Sequence, residues 1–479
     1  MSPAGPAQAF DLVVIGSGPA GQRAAVQAAK LGQRAAVIER QRVVGGVCIN
    51  TGTIPSKTLR EAVLDLSGLR QRSLYGDAFV ARALSAKDLL MRVDLVMQRE
   101  REVVRSQLVR NGIELFEGEG AFEGPHRVSV SSAGEAQTLE ASFIVIAVGT
   151  TPGVPPGIAV DHAGVLTSDD VTAMQALPRS LAVVGAGVIG IEYATMFAAL
   201  GIEVTLIDRR DTLLEMADRE IVEALTYEAR EMGVTLRLGE EVASIASNGG
   251  RQVLALASGK RFTSELVLIS SGRQGATENL TLDRAGLKAD VRGRIAVNEH
   301  YQTAVPHIYA VGDVVGFPAL ASTSSEQGRH AACHAFGIAT NHVADLFPYG
   351  IYAIPEMAWV GKNEKELTAK RVPFETGVAR YREIARGQIL GDLSGMLKLI
   401  VHLETRRILG VWCLGTQATE LVHIGQAVMA LGGTLDYFLD NVFNYPTLAE
   451  CYKVAALDGH NKLRALGAVS APAEPGQEP

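Results

Sequence analysis

Six glycines and two carboxylates mark the stretches of this sequence best suited to hold a ligand. "IGSGPAG" supplies Gly16, Gly18 and Gly21, and "VGAGVIG" supplies Gly185, Gly187 and Gly190; each run reaches an acidic residue, Glu39 or Asp208, 23 residues after its first glycine. In such a G-x-G-x-x-G turn the first glycine permits a tight bend, the second lets a pyrophosphate approach the backbone, and the third lets helix pack on strand. Unpaired amides and the positive end of the helix dipole then face the phosphates. The terminal carboxylate is placed to accept hydrogen bonds from ribose hydroxyls. A lone motif is also compatible with a glycine-rich turn that binds nothing. Here, however, the 30 residues from Asp11 and the 30 from Ser180 align without a gap at an offset of 169, with 11 identities, and the pair points to two bound dinucleotides.

The two copies differ in one instructive way. Asp208 is followed by Arg209 and Arg210. A carboxylate there favours a free 2'-hydroxyl, whereas a guanidinium can pair with a 2'-phosphate, so the second site is expected to accept both NAD(H) and NADP(H). Two solvated arginines at a strand end are the plainer reading of the same residues.

The elements that must position these groups are legible from periodicity. Each copy reads as a short apolar strand, the glycine turn, an Ala-rich helix, a Leu-Gly stop and a second apolar strand ending in the carboxylate. That is an α/β chain with two Rossmann-like three-layer dinucleotide-binding domains. With 479 residues the chain is long enough for two or three cores. Its 47% hydrophobic and 20% charged residues describe an ordinary globular protein rich in glycine, with 50. A net charge of -7 gives no cationic surface for a phosphate backbone, so nucleic acid is not an expected partner. The N-terminal "MSPAGPAQAF" has neither a charged nor an apolar leader segment, and no apolar run reaches about 18 residues, so no membrane association and a cytoplasmic location are expected. The four cysteines, Cys48, Cys333, Cys413 and Cys451, form no CxxC or CxxH spacing; reduced thiols and no metal are expected. The closing "APAEPGQEP" is expected to be disordered.

"GGVCINTGTIPSK" (45 to 57) resembles the pyridine nucleotide-disulfide oxidoreductase family, which includes dihydrolipoamide dehydrogenase, glutathione reductase and mercuric reductase. The resemblance runs over roughly residues 10 to 465, through "FIVIAVGTTP", "VGAGVIGIEYA", "HIYAVGDVVG", "IPEMAWVG" and "FNYPTLAECYKVAAL". It implies an FAD-binding domain in segments 1–150 and 281–350, an NAD(P)-binding domain over 151–280, a C-terminal α+β dimerisation domain over 351–468 and a tail over 469–479. A homodimer or higher homo-oligomer follows. It further implies that Gly46, Cys48, Thr53, Gly149, Gly312 and Asp313 lie along the FAD, with Ala121 near the adenine, and that Gly272 and Arg273 belong to the NAD(P) site. Asp313 also reads as a helix N-cap. Lys57 resembles the lysine beside the reactive nitrogen of the flavin, and Glu192 the carboxylate that pairs with it; an ammonium there would favour negative charge on the ring.

Two positions depart from the family pattern. Thr53 stands where the flavin-proximal cysteine is expected, and a hydroxyl has no sulfur oxidation ladder, so no disulfide with Cys48 can form. Tyr445 stands where an acid/base histidine is expected, before a retained Glu450, and a phenol with a pKa near 10 is a poor proton shuttle at neutral pH. Together they remove thiol exchange and spare both nucleotide sites. The implied activity is that of the family's transhydrogenase branch, hydride exchange between NADPH and NAD+ through FAD with ping-pong kinetics. A quinone or other acceptor reductase is the enzyme alternative, and a flavin-holding sensor that does not turn over is the alternative of another class. Cys48 reads as packing against the flavin; a redox role would require Cys451 to reach it.

Overall fold

The structure, a computed structural model, describes residues 7–69, 75–76, 84–132, 134–340 and 346–467. The expected tail over 469–479 lies outside these. Along the chain, β1 (Gln8–Ile15), α1 (Pro19–Lys30), β2 (Ala35–Glu39), α2 (Gly46–Asn50), α3 (Thr53–Ser67) and the long α4 (Ala86–Arg110) lead to β3 (Glu114–Glu117), β4 (Glu119–Gly124), β5 (Arg127–Ser132), β6 (Glu135–Ile146) and β7 (Thr150–Pro152). Then come β8 (Val165–Thr167), β9 (Ser180–Val184), α5 (Val188–Ala199), β10 (Glu203–Asp208), α6 (Arg219–Glu231), β11 (Thr235–Leu238), β12 (Val242–Asn248), β13 (Arg251–Leu256), β14 (Arg261–Ser264) and β15 (Leu266–Ile269). Next, β16 (Arg273–Gly275), β17 (Ile308–Ala310) and α7 (Ala321–Ala335) precede a last sheet of β18 (Tyr349–Ile351), β19 (Met357–Gly361), β20 (Phe374–Arg380), β21 (Met396–His402) and β22 (Ile408–Leu414).

The chain divides into two compact units, one of residues 1–62, 85–177 and 269–343, the other of 63–84, 178–268 and 344–479. In the first, a seven-stranded sheet runs β3-β2-β1-β6-β5-β4, with β17 also on β6. Pairings β1–β2, β1–β6, β2–β3 and β6–β17 are parallel, whereas β5 is antiparallel to both β4 and β6. Strand β2, "AAVIE", is buried at every position, as a parallel strand covered on both faces must be. One face carries a core of Val13, Ile38, Phe122 and Ile144, the other a core of Leu12, Val37, Ala24 and Tyr309. Helix α1 is Ala-rich because α7 crosses it closely: a Cβ on Gly328 would stand 2.0 Å from the Ala20 carbonyl oxygen.

In the second unit, parallel β11-β10-β9 repeat the motif of the first, with β12-β13-β14 as an antiparallel appendage. The sheet β18-β19-β22-β21-β20 is antiparallel throughout. Its core of Leu399, Val411, Phe438 and Tyr452 also contains Cys413 and Cys451.

Residues 151–177 and 269–280 belong to the first unit, because β7 and β16 pair antiparallel, Thr150 with Gly275 and Pro152 with Arg273, and so draw both crossover segments back. No described helix is long and apolar enough to cross a membrane.

Candidate functional site

The three glycines of the first motif are required for different reasons. Gly16 leaves β1 at φ +109°, and a Cβ there would come within 2.3 Å of the Ala147 carbonyl oxygen. A Cβ on Gly21 would meet the Gly16 carbonyl oxygen at 1.9 Å. Gly18, the N-cap of α1, is different: a Cβ there would meet nothing within 4 Å. Protein packing excludes a side chain at the first and third positions; at the second the space faces outward, where a ligand can approach.

Glu39 ends β2 with only 4% of its surface exposed. Its Oε2 accepts from the Ser17 amide (3.1 Å) and hydroxyl (2.5 Å), and its Oε1 from the Gln41 amide (2.9 Å). The Ser17 hydroxyl in turn accepts from the Gly45 amide at 2.9 Å, which ties the glycine turn to the "GGVCIN" segment. A carboxylate offers about four acceptor sites, so Glu39 keeps capacity for a ribose hydroxyl. Neither Ser17 nor Gln41 was singled out in the sequence, since neither type alone signals a clamp.

Gly16, Gly18, Glu39, Gly46, Cys48, Thr53, Gly149, Gly312 and Asp313 all line one cleft of about 970 Å³. The Gly312 amide donates to Gln327 Oε1 at 2.7 Å, which fixes the turn that presents Asp313. Burial pushes the Asp313 carboxyl up, opposed by the charge of Arg273 and by hydrogen bonds from Ser324 and Thr150. Thr51, also on the cleft wall, has a buried hydroxyl oxygen with no protein partner. A polar ligand with phosphates, sugar hydroxyls and a ring system fits this donor set. Gly118, Glu119 and Gly120 line the same cleft, and Ala121 follows them in the chain on β4. The Ala121 backbone is engaged by β5, where its carbonyl also accepts from the Ser129 hydroxyl at 3.2 Å.

Cys48 on α2 and Thr53 at the start of α3 line the same cleft, the Thr53 hydroxyl near enough to favour the thiolate of Cys48. Burial pushes the Cys48 thiol up; this outweighs the nearby Thr53 hydroxyl and Lys57 charge. The thiol is therefore protonated at neutral pH. Lys57 Nζ donates to the Ser56 hydroxyl at 3.3 Å. All four cysteines are free thiols. Cys451 is fully buried in the core of the last sheet, its thiol pushed up to about 12 by burial, an environment that suits packing and not exchange.

The second motif repeats the first with altered chemistry. Asp208 accepts from the Ala186 amide at 2.6 Å, as Glu39 does from Ser17. Where Gln41 stands in the first copy, Arg210 stands in the second, and its amide, Nε and Nη2 reach Asp208 at 2.8, 2.9 and 2.7 Å. Burial raises the Asp208 carboxyl, but these bonds outweigh it and hold it below the usual range. Arg210 is thus committed to Asp208, and Arg209 is the exposed guanidinium of the two. Gly187, the N-cap of α5, is open like Gly18, and Gly185 leaves β9 at φ +108°. Gly190 and Glu192 are buried in α5, and the Glu192 carboxylate accepts from the Tyr352 amide at 2.8 Å.

Arg273 opens β16 and Gly272 precedes it. Both lie in the first unit. The Gly272 carbonyl accepts from the Gly153 amide at 2.8 Å, and Arg273 pairs with Asp169 and Thr150. The pairing of β7 with β16 carries them there. Near the C-terminus, Tyr445 is 69% exposed, and Glu450 accepts from the Thr447 amide at 3.3 Å.

Comparison with known proteins adds to this geometry. A family model described as pyridine nucleotide-disulphide oxidoreductase matches residues 10–328, and its dimerisation domain matches 347–456. A protein of Mycobacterium bovis named soluble pyridine nucleotide transhydrogenase is 55% identical over 95% of this chain and 98% of its own length. One of the same name from Chromohalobacter salexigens is 44% identical over 95% and 99%. Among solved structures, the HOCl-induced flavoprotein disulfide reductase RclA from Escherichia coli is 27% identical with a TM-score of 0.86, covering 94% of this chain and 99% of that one.

Proposed function

We infer the function from one premise: the chain belongs to the pyridine nucleotide-disulphide oxidoreductase family. We propose that it is an FAD-dependent NAD(P)+ transhydrogenase, exchanging hydride between NADPH and NAD+; its 55% and 44% identical relatives are named soluble pyridine nucleotide transhydrogenase. The observation that carries this reading is that Cys48 shares its cleft with a hydroxyl, Thr53, five positions on, and not with a second thiol. Electrons that arrive from one nicotinamide then have no sulfur route out, and this reading returns them to a second nicotinamide.

A bound flavin supplies a ring that takes a hydride equivalent from one nicotinamide and returns it to the next. The chain's own residues do the rest. Gly16, Gly18 and Gly21 admit the FAD pyrophosphate, Glu39 receives a ribose hydroxyl and Asp313 a hydroxyl of the flavin's sugar chain. Gly46, Gly149 and Gly312 leave room for the ring-bearing half, Cys48 and Thr53 pack beside it, and Lys57 places a cation near its reactive nitrogen. In the second unit Gly185, Gly187 and Gly190 admit NAD(H) or NADP(H), Glu192 is presented at the start of α5, and Asp208, Arg209 and Arg210 read the adenosine ribose. The match to the family's dimerisation domain supports assembly as a homodimer or higher homo-oligomer. Donor and acceptor carry the same dihydropyridine chemistry, so the catalytic demand is positioning and exclusion of water.

The test is a steady-state assay of the FAD-loaded protein with NADPH and a thio-NAD+ analogue. Parallel lines in double-reciprocal plots are expected from a nucleotide site used twice. Absence of transfer, with rapid reduction of a quinone, would replace this reading with an acceptor reductase.

A further inference from the structure

We propose that Thr195 is a positioning residue for the Glu192 carboxylate, acting through the backbone between Tyr352 and Ile354. The inference rests on the reading that Glu192 serves hydride transfer from the nicotinamide. Glu192 and Thr195 stand three apart on α5, so both side chains rise from one face of the helix. Each meets a backbone amide of the segment that follows β18. The Tyr352 amide donates to Glu192 Oε1 at 2.8 Å, and the Ile354 amide to the Thr195 hydroxyl at 3.0 Å. Glu192, Thr195 and Ile354 are all buried. The segment is therefore docked on α5 at two points, a carboxylate and a hydroxyl, within the second unit.

The hydroxyl acts in one direction only. It has a single hydrogen, and its two partners on α5, the Ile191 carbonyl at 2.9 Å and the Glu192 carbonyl at 3.1 Å, can only accept. The hydrogen is thus spent on the helix, and a lone pair is turned outward to the Ile354 amide. That bond sets where the chain lies two residues earlier, at the amide that holds Glu192 Oε1. A charge-assisted bond from an amide fixed in this way keeps a buried carboxylate on one heading. The repeated motif shows that the helix itself does not require the hydroxyl. At the same places 169 residues earlier, α1 carries Arg23 and Val26, and Val26 is buried in its core. Where the carboxylate is absent, so is the hydroxyl.

The experiment has two readouts on the FAD-loaded protein. Hydrogen–deuterium exchange, followed by mass spectrometry on a peptide spanning Tyr352 and Ile354, should quicken about tenfold in Thr195→Val. Stopped-flow reduction by NADPH, read as loss of flavin absorbance, should slow about tenfold in the same variant, with the apparent Kd for NADPH changed by less than about twofold. Thr195→Ser keeps the hydroxyl and should match the unmodified chain in both. Placed on Glu192→Ala, Thr195→Val should slow reduction no further, because the hydroxyl acts through that carboxylate; a general loosening of the fold would add to the loss. Circular dichroism and retained FAD check folding. If Thr195→Val does not fold, Thr195→Ala, which removes the same hydroxyl, decides against Thr195→Ser. Unchanged exchange or an unchanged reduction rate in Thr195→Val, a further loss on the Glu192→Ala background, or a serine variant as slow as the valine one would overturn the inference. Reduction of Glu192→Ala at the unmodified rate would instead overturn the reading of Glu192, and this inference with it.

Discussion

At Cys48 one atom separates two chemistries. Thr53 faces the same cleft as Cys48 and lies near its sulfur, so Thr53→Cys is expected to set a second thiol within disulfide reach. Titration of that variant should show two fewer thiols after mild oxidation, and none fewer in the unmodified chain. Cys48→Ser should retain most transhydrogenation, because the half-buried, protonated thiol has no second thiol to exchange with. At the second nucleotide, Arg210 is tied to Asp208 while Arg209 is exposed. Arg209→Ala is accordingly expected to raise KM for NADPH about tenfold and leave that for NADH nearly unchanged, the size of a lost charge-assisted hydrogen bond. The Asp208 carboxyl is held down in the folded protein. Its stabilising contribution is therefore full above the unfolded value, about 4, and is lost as pH falls through the lower folded value. Asp208→Asn should flatten the acid limb of a plot of unfolding midpoint against pH.

At the scale of elements, the glycine turns give a paired expectation. Gly18→Ala has room within the protein and should fold yet bind FAD poorly; Gly21→Ala drives a methyl into the Gly16 carbonyl and should fail to fold. Circular dichroism with FAD titration separates the two. A second device joins elements within the second unit. Lys398 on β21, 1% exposed, donates to Asp218, the N-cap of α6, at 2.9 Å, and also meets Glu364 and Glu220. Those three carboxylates could hold a cation by spacing, but the ammonium already serves as their counter-charge. Lys398→Met leaves Asp218 buried without it and should cost about 3–5 kcal/mol, read as a lower urea midpoint.

At the scale of the whole molecule, the dimerisation domain identified by its family model carries large apolar side chains in water, among them Val442 at 96% and Leu431 at 88% exposed. Burial of such residues is a driving force for association. Sedimentation should show a homodimer, and Val442→Asp should shift it toward monomer at low concentration.

The sequence by itself determined the two nucleotide folds, because the glycine spacing, the Ala-rich helices and the acidic strand ends are local patterns that repeat at one offset. It also identified the missing thiol, since a residue type at a fixed spacing needs no coordinates. Only the tertiary structure decided that Arg273 pairs with Asp169 and Thr150, that Gly118–Gly120 line the first cleft, and that Arg210 is spent on Asp208. Each depends on a pairing between segments far apart in the chain, such as β7 with β16, or on which way a strand residue faces, and neither leaves a trace in local periodicity.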